Sequence, residues 1–241
     1  MGDNSVDWQA QVMRLTVFLA APMTDPTSLW KTLAGDAPES DEARPRDGVR
    51  RQVGPWKATL LEAAVTDARL DVVIGPPPAA GGFLIGGLPE TLDDFGGLVR
   101  PWLASGSFKC VRLALGLVAV AASEDRTQTY ALLGRLVPSV KFDAANSKEP
   151  FYRINRPCVS SVLQGHEINR ITAWTSIRFH KAVVGSTGVA FQHQEQTYAR
   201  LECDHSTAAE RLEELPRELL TPLYDELAQL AMENTRKGEI P

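Results

Sequence analysis

Hydrophobic positions along this chain switch between two periods, and the switch points divide it into strands and helices. Residues 12–20 are apolar and β-branched and predict a strand. Asp25-Pro26 then supplies a cap and a proline for the first helical position. Leu29, Trp30 and Leu33 follow at helical spacing, so a short helix ends near Gly35. The charged, proline-containing stretch 35–48 predicts a mobile loop. Residues 57–65 and 68–74 predict two strands around a tight turn at Thr66-Asp67.

A Gly/Pro-rich loop spans 75–89, and a helix is expected over 90–103. Residues 108–122 are apolar on both faces, the pattern of a central strand in a covered sheet. Ser123 is read as the cap of the next helix, with Glu124 and Asp125 in its first turn. Tyr130, Leu133 and Leu136 form its apolar stripe, and Pro138 lies beyond its end.

Residues 172–184 and 197–205 alternate apolar and polar. Ile177 and Phe179 share one face, with Arg178 and His180 on the other; Ala199, Leu201 and Cys203 oppose Arg200, Glu202 and Asp204. Paired strands would let Arg178 meet Glu202 or Asp204. The connection 185–194 reads as a hairpin loop. A last helix starts at Thr221-Pro222, carries Leu223, Leu227, Leu230 and Ala231 as one stripe, and stops at Gly238. The order predicts a single α+β domain over 1–241: a mainly antiparallel sheet with helices packed on it, and an amphipathic carboxyl-terminal helix. The loop 75–89 is the candidate place for a division.

Composition changes this picture little. The chain has 241 residues, 44% of them hydrophobic, and a formal net charge of −5, values of an ordinary globular protein. Mild acidity argues against a general nucleic-acid coat protein. The 18 Arg against 7 Lys fit a GC-rich bacterial genome. The first seven residues lack the cations and apolar run of a leader. The longest apolar run is 111–122, short of the about 20 residues a membrane helix needs. A cytoplasmic protein that does not enter the membrane is expected.

Candidate chemistry is sparse. The three cysteines, Cys110, Cys158 and Cys203, are far apart and form no CxxC pair. Cys158 lies near two arginines that would lower its thiol pKa if they are close in space. The loop 75–89 lacks the Gly-Lys-Ser/Thr ending of a phosphate loop. No Gly-x-Ser-x-Gly elbow occurs. His180, His193 and His205, with Glu195, Glu202 and Asp204, lack metal-motif spacing, so neither metal nor cofactor is expected. Asp93-Asp94 and Glu213-Glu214 read as ordinary surface charge.

One window stands out. Residues 148–181 hold Lys148, Arg153, Arg156, Arg170, Arg178 and Lys181 against Glu149 and Glu167, a basic island in an acidic chain. Phe151, Tyr152, Trp174 and Phe179 are interleaved. Ile-Asn-Arg occurs twice, as Ile154-Asn155-Arg156 and Ile168-Asn169-Arg170, with Gly165 between. If a turn lays the tripeptides side by side, two guanidinium groups converge and need a shared anion. Glu202 or Asp204 would serve in a structural arrangement, with Asn155 and Asn169 as backbone braces. In a functional one, Arg153, Asn155, Arg156, Asn169, Arg170 and Arg178 would bind a ligand or partner, with Tyr152 or Trp174 stacking on it.

The segment Gly165–Ile171 resembles the Gly-x-x-x-Ile-Asn-Arg-Ile segment of sporadically distributed, uncharacterised bacterial proteins of similar length. In them it is followed by strands and an acidic strand end leading into helices, an order similar to that after residue 197. The resemblance covers the last third of the chain and implies a fold, not a reaction. The expectation is a non-enzymatic interaction or assembly component that contacts another protein subunit and forms a homo-oligomer, with the carboxyl-terminal amphipathic helix and the basic window as its contact surfaces. The alternatives are a binder of a nucleotide or single-stranded nucleic acid, and a hydrolase whose site the sequence does not reveal.

Overall fold

The computed structural model describes residues 6–44, 46, 48–78, 82–185 and 188–240, and for 180–195 the backbone alone. Within these residues one antiparallel sheet of 11 strands forms the body of the chain. Its strands are β1 (Gln9–Leu19), β2 (Ser40–Arg44), β3 (Val49–Trp56), β4 (Thr59–Val65), β5 (Arg69–Gly75), β6 (Gly86–Gly87), β7 (Cys110–Ser123), β8 (Phe151–Asn155), β9 (Cys158–Val159), β10 (Glu167–Gly185) and β11 (Gly188–Thr207). The spatial order is β2-β3-β4-β5-β1-β7-β11-β10-β8, with β6 against β1 and β9 against β10. The α+β class and its antiparallel sheet are as the sequence predicts.

Four helices accompany it: α1 (Leu29–Ala34), α2 (Leu88–Ser105), α3 (Arg126–Leu136) and α4 (Arg217–Lys237). The Asp25 carboxylate accepts the Thr27 backbone N–H at 3.0 Å in the turn before α1, the expected cap. α2 packs on β1 and α4, α4 on β7 and β11, and α3 on β7, β10 and β11. The core lies between this layer and the sheet face carrying Met13, Leu15, Leu113, Leu115, Leu117 and Leu201. As predicted, β7 is central. Leu115 pairs with Leu15 of β1 on one side and with His205 of β11 on the other.

Several boundaries differ from expectation. The loop read at 35–48 contains β2, five exposed residues pairing with β3 at the sheet's edge, where charge is tolerated because nothing covers the strand. β3 was hidden by Gly54 and Pro55. Gly54 is needed there, since an added Cβ would lie 2.9 Å from the Trp30 ring. α3 is capped by Asp125, not Ser123: the Asp125 carboxylate accepts the Gln128 backbone N–H at 2.8 Å.

α4 starts at Arg217, one turn before the expected Thr221-Pro222, so Pro222 lies inside it. Burial of Leu220, Leu223 and Leu227, each worth about 1.5–3 kcal/mol, offsets the backbone bond that Pro222 cannot make. The ladder of β10 with β11 continues to Gly185 and Gly188, through most of the expected loop 185–194, with an irregularity between His180 and Ala182. Residues 186–187 of that connection lie outside the described residues. So do residues 1–5, on which the reading of a missing leader rests, and residues 79–81 of the Gly/Pro-rich loop.

Candidate functional site

The two Ile-Asn-Arg tripeptides do come together. β8 pairs antiparallel with β10, placing Asn155 opposite Ile171 and Ile154 opposite Thr172. Just beyond the ladder, the Arg156 backbone N–H donates to the Arg170 carbonyl at 3.2 Å. Arg170 Nε donates to the Arg156 carbonyl at 2.7 Å, and Asn155 Nδ2 donates to Asn169 Oδ1 at 2.8 Å. The asparagines thus brace each other rather than irregular backbone.

The anion beside Arg156 is Glu239. Arg156 reaches Glu239 at 2.5 Å, and Tyr152 Oη donates to the same carboxylate at 2.9 Å. Ser139 donates to it as well. Burial alone would raise the Glu239 pKa, but the hydrogen bonds from Ser139, Arg156 and Tyr152 outweigh that and hold it below the usual carboxylate range. The expected partners, Glu202 and Asp204, are corrected by this: Arg156 anchors the segment after α4. Arg170 is buried, directly across the ladder from His205.

Arg178 lies opposite Thr197 and 3.9 Å from Glu149, so the expected meeting with Glu202 or Asp204 does not occur. Glu202 is held instead by Arg200 at 2.8 Å. Trp174 is wholly buried beside Trp8, with ring centroids 6.3 Å apart, and offers no stacking surface. The basic window is therefore not one site. Strand alternation sends Tyr152, Arg170 and Trp174 to the helix-covered face, and Arg153, Asn155 and Asn169 to the other.

That other face is where polar groups collect. The helices pack on one side of the sheet, and the register lays out the residues of the second side as a grid. One row runs Arg14, Gly116, Asp204, Ile171, Asn155 across β1, β7, β11, β10 and β8. The next runs Val12, Val118, Glu202, Ala173, Arg153. A cleft of about 240 Å³ lies over these two rows. Gly116 is its floor, and the Arg14 side chain lies across it: an added Cβ would meet Arg14 Nε at 3.3 Å.

Arg14 and Asp204 are half-buried and Arg153 is exposed. None of the three has a hydrogen-bond or ion-pair partner among the described residues. At one end the face is roofed by Phe83, whose ring stacks on Phe179 at 4.0 Å and meets Tyr198 edge-on at 5.3 Å. At the other, Arg112 covers the Phe18 ring at 4.7 Å and donates to Ser206 Oγ at 2.9 Å. Arg14, Gly116 and Asp204 escaped notice as a set because they lie on three strands distant in sequence. The available signal was polar Arg14 within an apolar strand and Gly116 within the most apolar run.

Reactive side chains are held inert. Burial pushes the Cys110 thiol up to about 12 and raises that of Cys203. Burial also raises Cys158, outweighing the opposing effect of Arg170, so the conditional lowering by arginines does not prevail. Burial lowers the His205 imidazole to about 4. Ser160 and Ser161 donate their hydroxyls to Glu226, at 2.6 and 2.7 Å, and tie the β9 turn to α4. Among the described residues no group of three or more His, Cys, Asp and Glu converges on a metal-sized point. The side chains of His180, His193 and Glu195 from that reading lie outside the described residues.

No helix among the described residues is long and apolar enough to cross a membrane. No protein-family model matches the sequence, and no curated protein matches it.

Proposed function

We propose that the chain is a non-enzymatic interaction or assembly component that docks another protein subunit on the uncovered face of its sheet. One observation carries this reading. The helices cover one side of the sheet at β1, β7, β10 and β11, while the other side presents Arg14, Arg153 and Asp204, whose charges have no partner among the described residues. Ion-forming groups left without partners around a cleft are groups a partner can satisfy. The buried state of Cys110, Cys203 and His205 supports a binding role over nucleophilic or acid–base chemistry.

Two earlier expectations change form. The carboxyl-terminal stripe is not the contact surface, because Leu223, Leu227 and Ala231 are covered by the chain's own sheet and α2. The anion-binding alternative loses Trp174 to the core, and Arg156 and the Tyr152 hydroxyl to Glu239. A bacterial, cytoplasmic setting and kinship with the Ile-Asn-Arg-Ile proteins remain part of the proposal. They rest on composition and on the single segment 165–171.

Site-specific photo-crosslinking in source cells tests the proposal. A photoreactive residue at Thr175, on the uncovered face, should capture a discrete protein, and Arg153→Glu should abolish the adduct. The same residue at Glu218, on the exposed side of α4, should capture none. Equal capture from both positions, or none from Thr175, would refute the docking role of the sheet.

A further inference from the structure

We infer that the cleft over Gly116 receives an extended acidic–basic–acidic segment of the partner protein, a deepening that rests on the docking role proposed above. The charges lining the cleft, taken across the strands, read plus at Arg14, minus at Asp204 and plus at Arg153. Glu202 adds nothing to this pattern, because Arg200 neutralises it from two residues away at 2.8 Å. The complement is therefore minus, plus, minus.

Spacing selects a peptide over a free small molecule. Arg14 and Asp204 are two strands apart, and Arg153 lies two strands beyond the Asp204 position in the adjoining row. Neighbouring strands lie about 4.8 Å apart, so the arginine backbones are separated by about 19 Å. Both side chains lean toward the common cleft. A free acidic amino acid reaches one of them. An extended peptide rises about 3.3 Å per residue, so five residues place their first and last side chains about 13 Å apart, a span that inward-leaning arginines can close.

Alternation then does the sorting. In an extended segment, positions one, three and five point to the same side. A sequence such as Glu-x-Lys-x-Glu aims two carboxylates at Arg14 and Arg153 and an ammonium at Asp204. Gly116 lets the segment approach, because a side chain at that position would press on Arg14 at 3.3 Å. The apolar residues Val12, Val118, Ile171 and Ala173 line the rest of the cleft and meet the aliphatic stems of the incoming side chains.

The test uses the full chain and three capped pentapeptides in calorimetric titrations at 50 mM salt: Glu-Ala-Lys-Ala-Glu, Gln-Ala-Gln-Ala-Gln and Lys-Ala-Glu-Ala-Lys. The first should bind at least tenfold more tightly than either of the others and weaken as salt rises. Arg153→Ala, an exposed substitution that leaves the fold intact, should remove most of that difference, and Arg14→Ala combined with it should remove the remainder. Equal binding of the three peptides, no effect of Arg153→Ala, or free glutamate binding as well as the pentapeptide would each overturn the inference. Failure here with crosslinking at Thr175 intact condemns only the segment chemistry; loss of that crosslinking as well condemns the docking face.

Discussion

His205 makes the stability of this chain depend on pH in a way that can be isolated. The imidazole lies wholly inside the helix-covered side, across the ladder from Arg170, and neither ring nitrogen has a hydrogen-bond partner among the described residues. Its pKa lies at about 4, below the ordinary 6.5: burial dominates, the Leu227 backbone opposes it, and Arg170 adds a lesser lowering effect. Because the folded value is depressed, the unfolded chain takes up the proton first. The stability is thus fully present above pH 6.5 and is lost as pH falls toward 4. One pKa unit corresponds to about 1.4 kcal/mol, so the full loss is of order 3 kcal/mol, and between pH 7.5 and pH 5 it is about 2 kcal/mol. With a urea slope of about 2 kcal/mol/M, the midpoint should move by about 1 M. Carboxylates also titrate as the pH falls, so the informative quantity is a double difference. Urea melts of the native chain and of His205→Gln are compared at pH 7.5 and pH 5. The variant is destabilised at both, but should lose about 2 kcal/mol less between them. Parallel losses in the two proteins would mean that His205 does not stay neutral in the fold, and the argument from burial would fail.

Two other positions make sharp demands. Gly238 ends α4 at φ 75°, and a Cβ there would lie 2.1 Å from the Leu136 carbonyl oxygen. Gly238→Ala should therefore cost more than about 1 kcal/mol in thermal or urea melts, and an unchanged midpoint would contradict the close approach of α3 and α4. Glu239→Gln weakens the anchor that gathers Ser139, Tyr152 and Arg156. A loss of about 1 kcal/mol and faster hydrogen exchange in the last turn of α4 are expected, whereas unchanged exchange there would show that the anchor is idle. In the native chain this carboxylate's pKa is depressed. Its contribution is present above the ordinary glutamate range and disappears as pH falls through the folded value.

Legibility in the sequence followed from how local each cause is. β7 was readable because a run apolar on both faces has few places to lie other than a sheet's middle. The stripe of α3 was readable because helical spacing is a property of neighbours in the chain, and Tyr130, Leu133 and Leu136 are all buried. β2 was not readable: its five residues are exposed, three of them are charged, and pairing with β3 holds them extended. The start of α4 was misplaced for a similar reason. Thr221-Pro222 is a sound local start signal, but Leu220 contributes to the core only if the helix begins earlier, and that benefit belongs to packing.

The candidate site was half legible. Composition marked the window 148–181, and pairing of its two tripeptides was anticipated, but charge alone does not say which face of a sheet a residue joins. That is fixed by register. Arg153 and Asn155 go to the open side because Ala173 and Ile171 lie opposite them, and Arg170 goes inward because it pairs with His205. A shift of one residue in that register would have exchanged the two sets. The partners of Arg153 in the cleft come from β1, β7 and β11, and no spacing rule within one segment joins residues 14, 116 and 204. The basic window therefore drew notice by its surplus charge, whereas the cleft depends on charges that are few and unpaired. Surplus charge satisfied within the chain, as Arg156 is by Glu239, points inward to structure; an unsatisfied pair such as Arg14 and Asp204, held two strands apart across a glycine, points outward to what fits between them.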